Sequence, residues 1–241
     1  MNTGQTQKLI VSNADITSSC RMINKPGSYM LMPRANRVEH NLPGFEGVQA
    51  QVLAAPQLGA KFVEHELLVH PNGKTSKTVE QAYEQFIYVL EGKLQFDLDG
   101  KKYSMEEGGY CWLPPYKAYQ FKNGQDQLTR LAWVRRKYEV VDGIAIPDPI
   151  VAHESDVRAD PTDTYMEQHL TPYEQLGFDM GINLQVFDPG SYFSFVETHV
   201  MEHGLYMLYG RGIYWLNHDY LETQKDDFIY MAPFCPQYFY A

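Results

Sequence analysis

The sequence has few cysteines, no excess of positive charge and no long hydrophobic run. Its three cysteines, Cys20, Cys111 and Cys235, form no CxxC pair, and reduced thiols in a cytoplasmic setting are the simplest interpretation. The net charge of −10 leaves no basic patch for nucleic acid or an anionic membrane. No apolar run reaches the length of a membrane span, and the amino terminus lacks a secretion signal pattern. We therefore expect a soluble cytoplasmic protein that binds neither nucleic acid nor membranes.

Helical periodicity is also scarce along the 241 residues. The pattern predicts only one short helix, between Pro161 and Leu176 in a connecting segment. A hydrophobic content of 44%, with 14% aromatic residues, is ample for a globular core and argues against disorder. Runs such as Lys93–Leu98 alternate polar and apolar residues with the period of a half-buried strand. The composition and patterning therefore favour an all-β protein.

The second half of the chain repeats the first at a constant offset of 118 residues. The identical pairs include Tyr88/Tyr206, Leu90/Leu208, Gly92/Gly210, Leu98/Leu216, Pro115/Pro233 and Phe121/Phe239. Each copy has the pattern strand, Gly turn, strand, turn, and a strand that ends at a proline, which is typical of a small jelly-roll barrel. We predict two jelly-roll barrels in tandem, each a double-stranded β-helix. A single long β-sandwich with chance similarity is the alternative.

Prolines and aspartates mark the expected boundary between the two barrels. Pro147, Pro149 and Pro161 interrupt any regular pattern in the middle of the chain. We expect a first barrel at residues 1–140, in which 1–33 form an amino-terminal extension. A linker would then cover residues 141–171, and the second barrel residues 172–241.

The segment Glu197-Thr198-His199-Val200-Met201-Glu202-His203 concentrates side chains of the metal-ligand type. Because side chains alternate along an extended strand, Glu197, His199 and His203 share one face. Gln237 could reach the same point from a neighbouring strand. Glu202 has the opposite parity, which indicates an outward-facing or supporting residue. We therefore predict a metal site made by Glu197, His199, His203 and Gln237 inside an apolar barrel.

The first copy has no such set. At the offset of 118, the four candidate ligands correspond to Val79, Gln81, Gln85 and Tyr119. None of these is a carboxylate or an imidazole. We therefore predict that the first barrel binds no metal in this way and serves a structural or assembly role.

The predicted ligands combine oxygen and imidazole donors. Since thiolates are absent, structural zinc and iron–sulfur clusters are disfavoured. Hard oxygen donors with imidazole suit Mn²⁺, with Fe²⁺ or Ni²⁺ as competitors. Four ligands leave positions on an octahedral ion for a substrate carboxylate or amine, which the ion would polarise as a Lewis acid.

At this point the chain resembles a known family. Two barrels with Gly210 and Pro233 at their turns look like a bicupin, and the order Glu197, His199, His203, Gln237 resembles that of the (S)-ureidoglycine aminohydrolases of purine (allantoin) degradation. Further similar strings are Pro43–Glu46, Leu58–Ala60, Leu176–Met180, Phe187–Gly190 and Glu202-His203-Gly204. The resemblance covers the chain from about Arg34 onward.

The resemblance implies a reaction and further residues. The expected reaction replaces the 2-amino group of ureidoglycine by water, which releases ammonia and yields ureidoglycolate. Tyr214 matches a family tyrosine near this small ureide substrate, and a homo-oligomer is expected. The family also carries a lysine in its last barrel strand. This chain has no counterpart for it, because the sequence ends at Ala241, before positions 246–256 that would correspond to the first-copy strand at 128–138.

Two other functions remain open at the level of the sequence. A metal-dependent cupin dioxygenase or decarboxylase of a small acid would use the same scaffold, although normally with three histidines and one glutamate. A non-catalytic, ligand-binding bicupin is favoured if the family lysine is absent. Dependence on metal and on O₂ separates these alternatives.

Overall fold

The computed structural model describes residues 21–76 and 82–241, and this part of the chain consists of β-strands, turns and three short 3-10 helices. The strands up to the middle of the chain are β1 (Ile23–Lys25), β2 (Tyr29–Met32), β3 (Glu39–Asn41), β4 (Phe45–Ala54), β5 (Phe62–Thr75), β6 (Tyr83–Glu91), β7 (Lys93–Leu98), β8 (Lys101–Glu106), β9 (Gly109–Leu113), β10 (Tyr119–Lys122), β11 (Thr129–Lys137) and β12 (Ile150–His153). The remaining strands are β13 (Asp160–Pro161), β14 (Met166–His169), β15 (Asn183–Val186), β16 (His203–Tyr206), β17 (Arg211–Leu216), β18 (Asp219–Gln224), β19 (Phe228–Met231) and β20 (Gln237–Tyr240). The 3-10 helices are Arg34–Asn36, Pro56–Leu58 and Glu154–Asp156. The predicted all-β bicupin architecture is confirmed.

None of the helices found in the described ranges is long and apolar enough to cross a membrane. Cys111 and Cys235 are buried free thiols, whereas Cys20 lies outside the described residues. Burial raises the pKa of both thiols, which keeps them protonated.

The first barrel is formed by one large sheet. Its strands follow the order β12-β9-β6-β11-β5-β10-β7-β8, with β4 on β5 and β3 on β4. In β7 the alternating residues Leu94, Phe96 and Leu98 are buried and point into the barrel, as the period of two predicts. They pack with Trp133 and Tyr119 in a continuous core.

The second half forms three smaller sheets, with strand orders β18-β17-β20, β13-β14-β15 and β1-β2-β19-β16. Their inward faces enclose an aromatic core that includes Phe193, Tyr214 and Phe239. β16 lies at the end of its sheet, whereas its counterpart β6 lies between β9 and β11. Within the residues that the structure describes, β11 has no counterpart in the second half.

The strand registers reproduce the offset of 118 residues found in the sequence. Gln85 pairs with Leu113 as His203 pairs with Met231. Leu98 pairs with Tyr119, and at the corresponding point Leu216 pairs with Gln237. The two halves are therefore copies of one strand arrangement, and corresponding positions can be compared directly.

The amino-terminal strands lie in the second half of the molecule. β2 pairs with β19 through Leu31 and Ile229, which places it where β12 pairs with β9 in the first barrel. The segment 141–171 likewise contains paired strands, since β12 joins the first sheet and β14 pairs with β15. The boundaries at 1–140, 141–171 and 172–241 remain a prediction, and the pairing of β2 shows that residues 23–32 contribute to the second sheet system.

The predicted short helix between Pro161 and Leu176 is wrong. Met166–His169 instead forms β14, and its backbone pairs with Asn183–Val186. The backbone hydrogen bonds of the segment go to a neighbouring strand, since sheet pairing outweighs a weak local preference.

An apolar cluster and a buried ionic network join the two barrels. Phe62 of the first barrel and Tyr230 of the second belong to one cluster, with their rings 6.2 Å apart. The fully buried Glu66 carboxylate pairs with Arg37 and accepts a hydrogen bond of 2.6 Å from Nε of Arg130. Tyr206 of the second half donates to Glu66 at 2.8 Å. Each charge of this network is therefore matched by a partner, as burial requires.

Candidate metal centre

The segment that carries the predicted ligands is largely a loop rather than a continuous strand. Glu197 forms an isolated bridge with Gln237 through two backbone hydrogen bonds of 3.0 and 2.9 Å. His199 lies in the loop, where its carbonyl oxygen accepts a 2.7 Å hydrogen bond from the backbone N–H of Phe234. Thr198 adds a 3.1 Å hydrogen bond from its hydroxyl to the Phe234 carbonyl. The turn before β20 therefore fixes the loop.

Three of the four predicted ligands meet in this structure. The Nε2 atoms of His199 and His203 are 3.2 Å apart, and Nε2 of Gln237 lies 3.1 Å from Nε2 of His203. The two imidazole rings meet edge to face with their centroids 4.8 Å apart. Sequence distances of 4 and 34 residues are thus closed at one point by the loop and by β20.

Glu197 stands beside this group without a hydrogen bond from its carboxylate to the other three. Burial raises the pKa of Glu197, and the neighbouring His199 partly offsets that rise. Among the described residues, no three His, Cys, Asp or Glu side chains form a group that could hold a metal ion. The cluster itself therefore consists of two imidazoles and one amide, with the carboxylate at its margin.

The electrostatic state of His203 suits a metal ligand. Burial, followed by the adjacent His199, lowers the pKa of His203 to about 4. The ring is therefore neutral at physiological pH, which is the form that coordinates a metal. Two ring nitrogens in contact can share only one hydrogen, so at least one of them offers a lone pair.

Tyr214 contacts the side chain of Gln237. Its side chain is only 2% exposed, and its hydroxyl donates to Oε1 of Gln237 across 3.4 Å. Burial, followed by the Glu197 carboxylate, raises the pKa of Tyr214 well above its ordinary value. The hydroxyl consequently remains protonated and is available as a hydrogen-bond donor.

A cavity of about 300 Å³ adjoins the cluster. Glu197, His203, Tyr214 and Gln237 line it together with apolar side chains such as Phe193. Its polar lining also includes Glu154, Gln168, Asn183, Gln185 and Arg211. No lysine is among the described residues that line it. The cavity has the size and mixed lining of a small-molecule site.

The donor set fits a metal ion of the cupin type. Two nitrogen ligands at right angles around an ion, with bonds of about 2.1 Å, lie about 3 Å apart, and the nitrogens here are separated by 3.1 and 3.2 Å. Gln237 presents its nitrogen to His203, and rotation of the amide exchanges that nitrogen for the oxygen that binds metals. Among the described residues, the buried Nδ1 of His199 has no hydrogen-bond partner, although metal-bound histidines usually donate a hydrogen bond from the ring nitrogen that does not bind the metal.

The corresponding positions of the first barrel form a different arrangement. Val79 and Gln81 lie outside the described residues. The oxygen of the fully buried Gln85 accepts hydrogen bonds from Tyr119 and Trp133, both 3.1 Å long. Gln85 and Tyr119 thus contact each other as His203 and Gln237 do, but with neither an imidazole nor a carboxylate.

Sequence reasoning missed the residues that hold the loop of the candidate ligands. Thr198 and Phe234 bind it to the turn before β20, and the only sequence signal was their position beside the candidate ligands. Glu202 points away from the cluster, as its parity indicated, and accepts hydrogen bonds from Lys61 and Tyr230.

Comparison with known proteins finds one matching family model and several similar proteins. The cupin domain family model matches residues 65–135. The (S)-ureidoglycine aminohydrolase of Escherichia coli is 33% identical over 90% of this chain and 84% of its own length. The E. coli protein YlbA superposes with a TM-score of 0.86 at 31% identity, covering 96% of this chain and 93% of that one. A putative glyoxylate-induced protein of Pseudomonas aeruginosa reaches 0.83 at 31% identity, with 92% and 86% coverage.

Proposed function

Because the chain belongs to the (S)-ureidoglycine aminohydrolase family, whose members are hydrolases acting on C–N bonds, we propose that it converts (S)-ureidoglycine and water into (S)-ureidoglycolate and ammonia. The oxygen of water bonds to the carbon that carries the 2-amino group, and the bond from that carbon to the amino nitrogen breaks. The amino nitrogen takes a proton from the water and leaves as ammonia, while the ureido group stays on the carbon. The observation that carries this proposal is the 33% identity to the E. coli enzyme over most of both chains.

The proposed cofactor is Mn²⁺, held by Glu197, His199, His203 and Gln237. The mixed oxygen and imidazole donors support this choice, with Fe²⁺ and Ni²⁺ as competitors. When bound, the ion would act as a Lewis acid toward the amine and carboxylate of the substrate. For its part, the protein keeps His203 neutral through burial and provides a cavity beside the cluster for a small ureide.

Tyr214 is the proposed substrate contact. Its hydroxyl stays protonated and lies at the wall of the cavity, next to Gln237. A buried donor of this kind can orient an oxygen or nitrogen atom of the substrate. It cannot accept the proton of water in this state, so its proposed role is positioning of the substrate.

The wider organisation follows the same proposal. The first barrel, residues 1–140, would be catalytically silent, and the linker at 141–171 would lead to the metal-binding barrel at 172–241. We also propose a homo-oligomeric cytoplasmic enzyme. Exposed apolar side chains on the second half, among them Phe195, Val200 and Met201, support self-association.

Ammonia release from freshly generated ureidoglycine tests the proposed function. The purified protein should release ammonia with Mn²⁺ and stop when a chelator removes the ion, with no need for O₂. Release that requires O₂ would favour the dioxygenase alternative. Metal-loaded protein that binds the ureide and releases no ammonia would favour a ligand-binding role, and either result would contradict the proposal.

A further inference from the structure

Glu202 lies between two of the proposed ligands but points toward the first barrel. Its Oε1 accepts a 2.8 Å hydrogen bond from the backbone N–H of Lys61, which precedes β5. Its Oε2 accepts a 3.1 Å hydrogen bond from the hydroxyl of Tyr230 on β19. One carboxylate therefore ties the metal-ligand loop both to the other barrel and to the neighbouring strand.

The residue on the other side of His203 is equally constrained. A Cβ atom on Gly204 would lie 2.6 Å from Oε2 of Glu64 and 2.8 Å from the ring of Phe62. Only a glycine permits so close an approach between β16 and the first barrel. Both chain neighbours of His203 are thus held against the first barrel, while the His203 ring points to the metal cluster.

The first barrel contains a carboxylate at the position that corresponds to Glu202. At the offset of 118 residues, Glu202 corresponds to Glu84 and Tyr230 to Trp112. Nε1 of Trp112 donates to Oε2 of Glu84 at 2.9 Å, just as Tyr230 donates to Oε2 of Glu202. Burial raises the pKa of Glu84 to about 7, and hydrogen bonds from Trp112 and from the backbone of Met180 in the other half partly offset that rise. The two carboxylates therefore occupy equivalent places in the two halves, and Glu202 is the one next to the candidate metal ligands.

We infer that Glu202 is a positioning residue for the metal centre, and that the first barrel serves the second by fixing the backbone around His203. This inference rests on the proposed metal site. A loop that carries two ligands has to be ordered when the ion is bound. The free-energy cost of this ordering weakens metal affinity unless other contacts already hold the loop in place. The two hydrogen bonds of Glu202 supply such contacts.

The test is the affinity of the metal-free protein for Mn²⁺, measured by the EPR signal of the free ion. Glu202→Ala should weaken binding about 10- to 100-fold, the range found for residues that support metal ligands. Glu202→Gln should restore affinity to within about 3-fold, because its amide oxygen still accepts the Lys61 N–H. Lys61→Ala should leave the affinity unchanged, because the donor is the backbone.

Three results separate the possible failures. If the wild type binds no Mn²⁺, the proposed metal site is wrong. If the wild type binds and Glu202→Ala binds equally well, the positioning role is wrong while the metal site stands. If Lys61→Ala weakens binding as much as Glu202→Ala, the contact depends on the lysine side chain, which also overturns the inference.

Two further variants guard against a merely structural effect. Tyr230→Phe removes one hydrogen bond to Glu202 and keeps the ring, so it should weaken Mn²⁺ binding by about 3- to 10-fold even if Glu202→Ala does not fold. Leu31→Ala destabilises the same half from the adjacent strand β2 without removing a hydrogen bond to Glu202, and it should keep wild-type affinity in the folded protein. Equal losses of affinity in Leu31→Ala and Tyr230→Phe would show that lowered stability alone explains the effect.

Discussion

At the scale of single residues, the candidate centre depends on imidazoles that are kept neutral. Burial lowers the pKa of His203 to about 4 and holds its Nε2 against that of His199 at 3.2 Å. Two positive rings at this distance would repel each other strongly in a partly dry site. The arrangement therefore favours either a shared hydrogen or a bound cation.

The first prediction concerns the proposed ligands. Glu197→Ala and His199→Ala should each abolish stoichiometric Mn²⁺ binding and leave the fold largely intact, because both side chains lie at the rim of the core. Metal content after dialysis, together with the thermal midpoint of the metal-free protein, measures both effects. Unchanged metal content in either variant would contradict the site assignment.

Tyr119→Phe provides the matched control for this prediction, because Tyr119 occupies the position of Gln237 in the first barrel. It should keep wild-type metal content and activity. The loss of one hydrogen bond to Gln85 should lower the free energy of unfolding by about 1 kcal/mol.

The residue types of the candidate site could be predicted from the sequence, but their arrangement could not. The chemistry of Glu197, His199, His203 and Gln237 is visible in the chain, and the offset of 118 residues marks them as peculiar to one copy. Strand parity correctly separates Glu202 from the cluster. It did not indicate that His199 lies in a loop, because hydrogen bonds from a distant turn set that conformation.

At the scale of elements, the second sheet system depends on strands from the beginning of the chain. β19 pairs with β16 on one edge and with β2 on the other. Without β2, the backbone groups of β19 would lose their partners and its apolar residues would be exposed. Residues 23–32 therefore belong energetically to the half that contains the candidate metal centre.

The second prediction tests this dependence. Leu31 is 2% exposed and packs in the aromatic core of the second half, so Leu31→Ala should lower the free energy of unfolding by about 3 kcal/mol. Urea denaturation measures the change. Val38→Ala serves as the control, because Val38 is 77% exposed and its loss should change stability by less than about 0.5 kcal/mol. Equal effects of the two substitutions would contradict the assigned role of β2.

At the scale of the whole molecule, a carboxyl group is buried between the barrels next to the strand that carries His203. Glu64 is 4% exposed and lies against Gly204 of β16. Burial raises the pKa of Glu64 to about 8, and the Arg37 guanidinium offsets this only in part. The neutral acid is therefore the form that fits the interface.

The third prediction follows from the sign of this shift. The carboxyl titrates near 4.5 when unperturbed and near 8 in the folded state. Between these values the unfolded chain holds fewer protons, so the free energy of unfolding should fall as the pH rises and level off above about 8. Glu64→Gln, which cannot ionise, should flatten this dependence and add on the order of 3 kcal/mol at pH 7.

Urea unfolding at several pH values between 4.5 and 9 measures this effect in both proteins. Glu106→Gln is the matched control, because the Glu106 side chain is 65% exposed and should leave the pH dependence unchanged. Parallel pH profiles for the wild type and Glu64→Gln would show that Glu64 ionises normally in the folded protein.

The sequence by itself determined the architecture of two β-barrels and the chemical identity of the candidate site. Alternating apolar residues and turn glycines determine strands and turns locally, and the same pattern recurs in the second half at a constant offset. The architecture and the chemical types of the site residues can therefore be predicted from the sequence. Family membership likewise follows from sequence identity over most of the chain.

The tertiary structure alone decided which distant segments complete each part. It places β2 on β19, ties Glu202 to Lys61 across 141 residues, and buries Glu64 between the barrels. These contacts join segments whose local patterns are self-consistent without each other. These contacts stabilise the protein only when the two barrels exclude water from a common interface. The pattern of a single segment therefore cannot predict them.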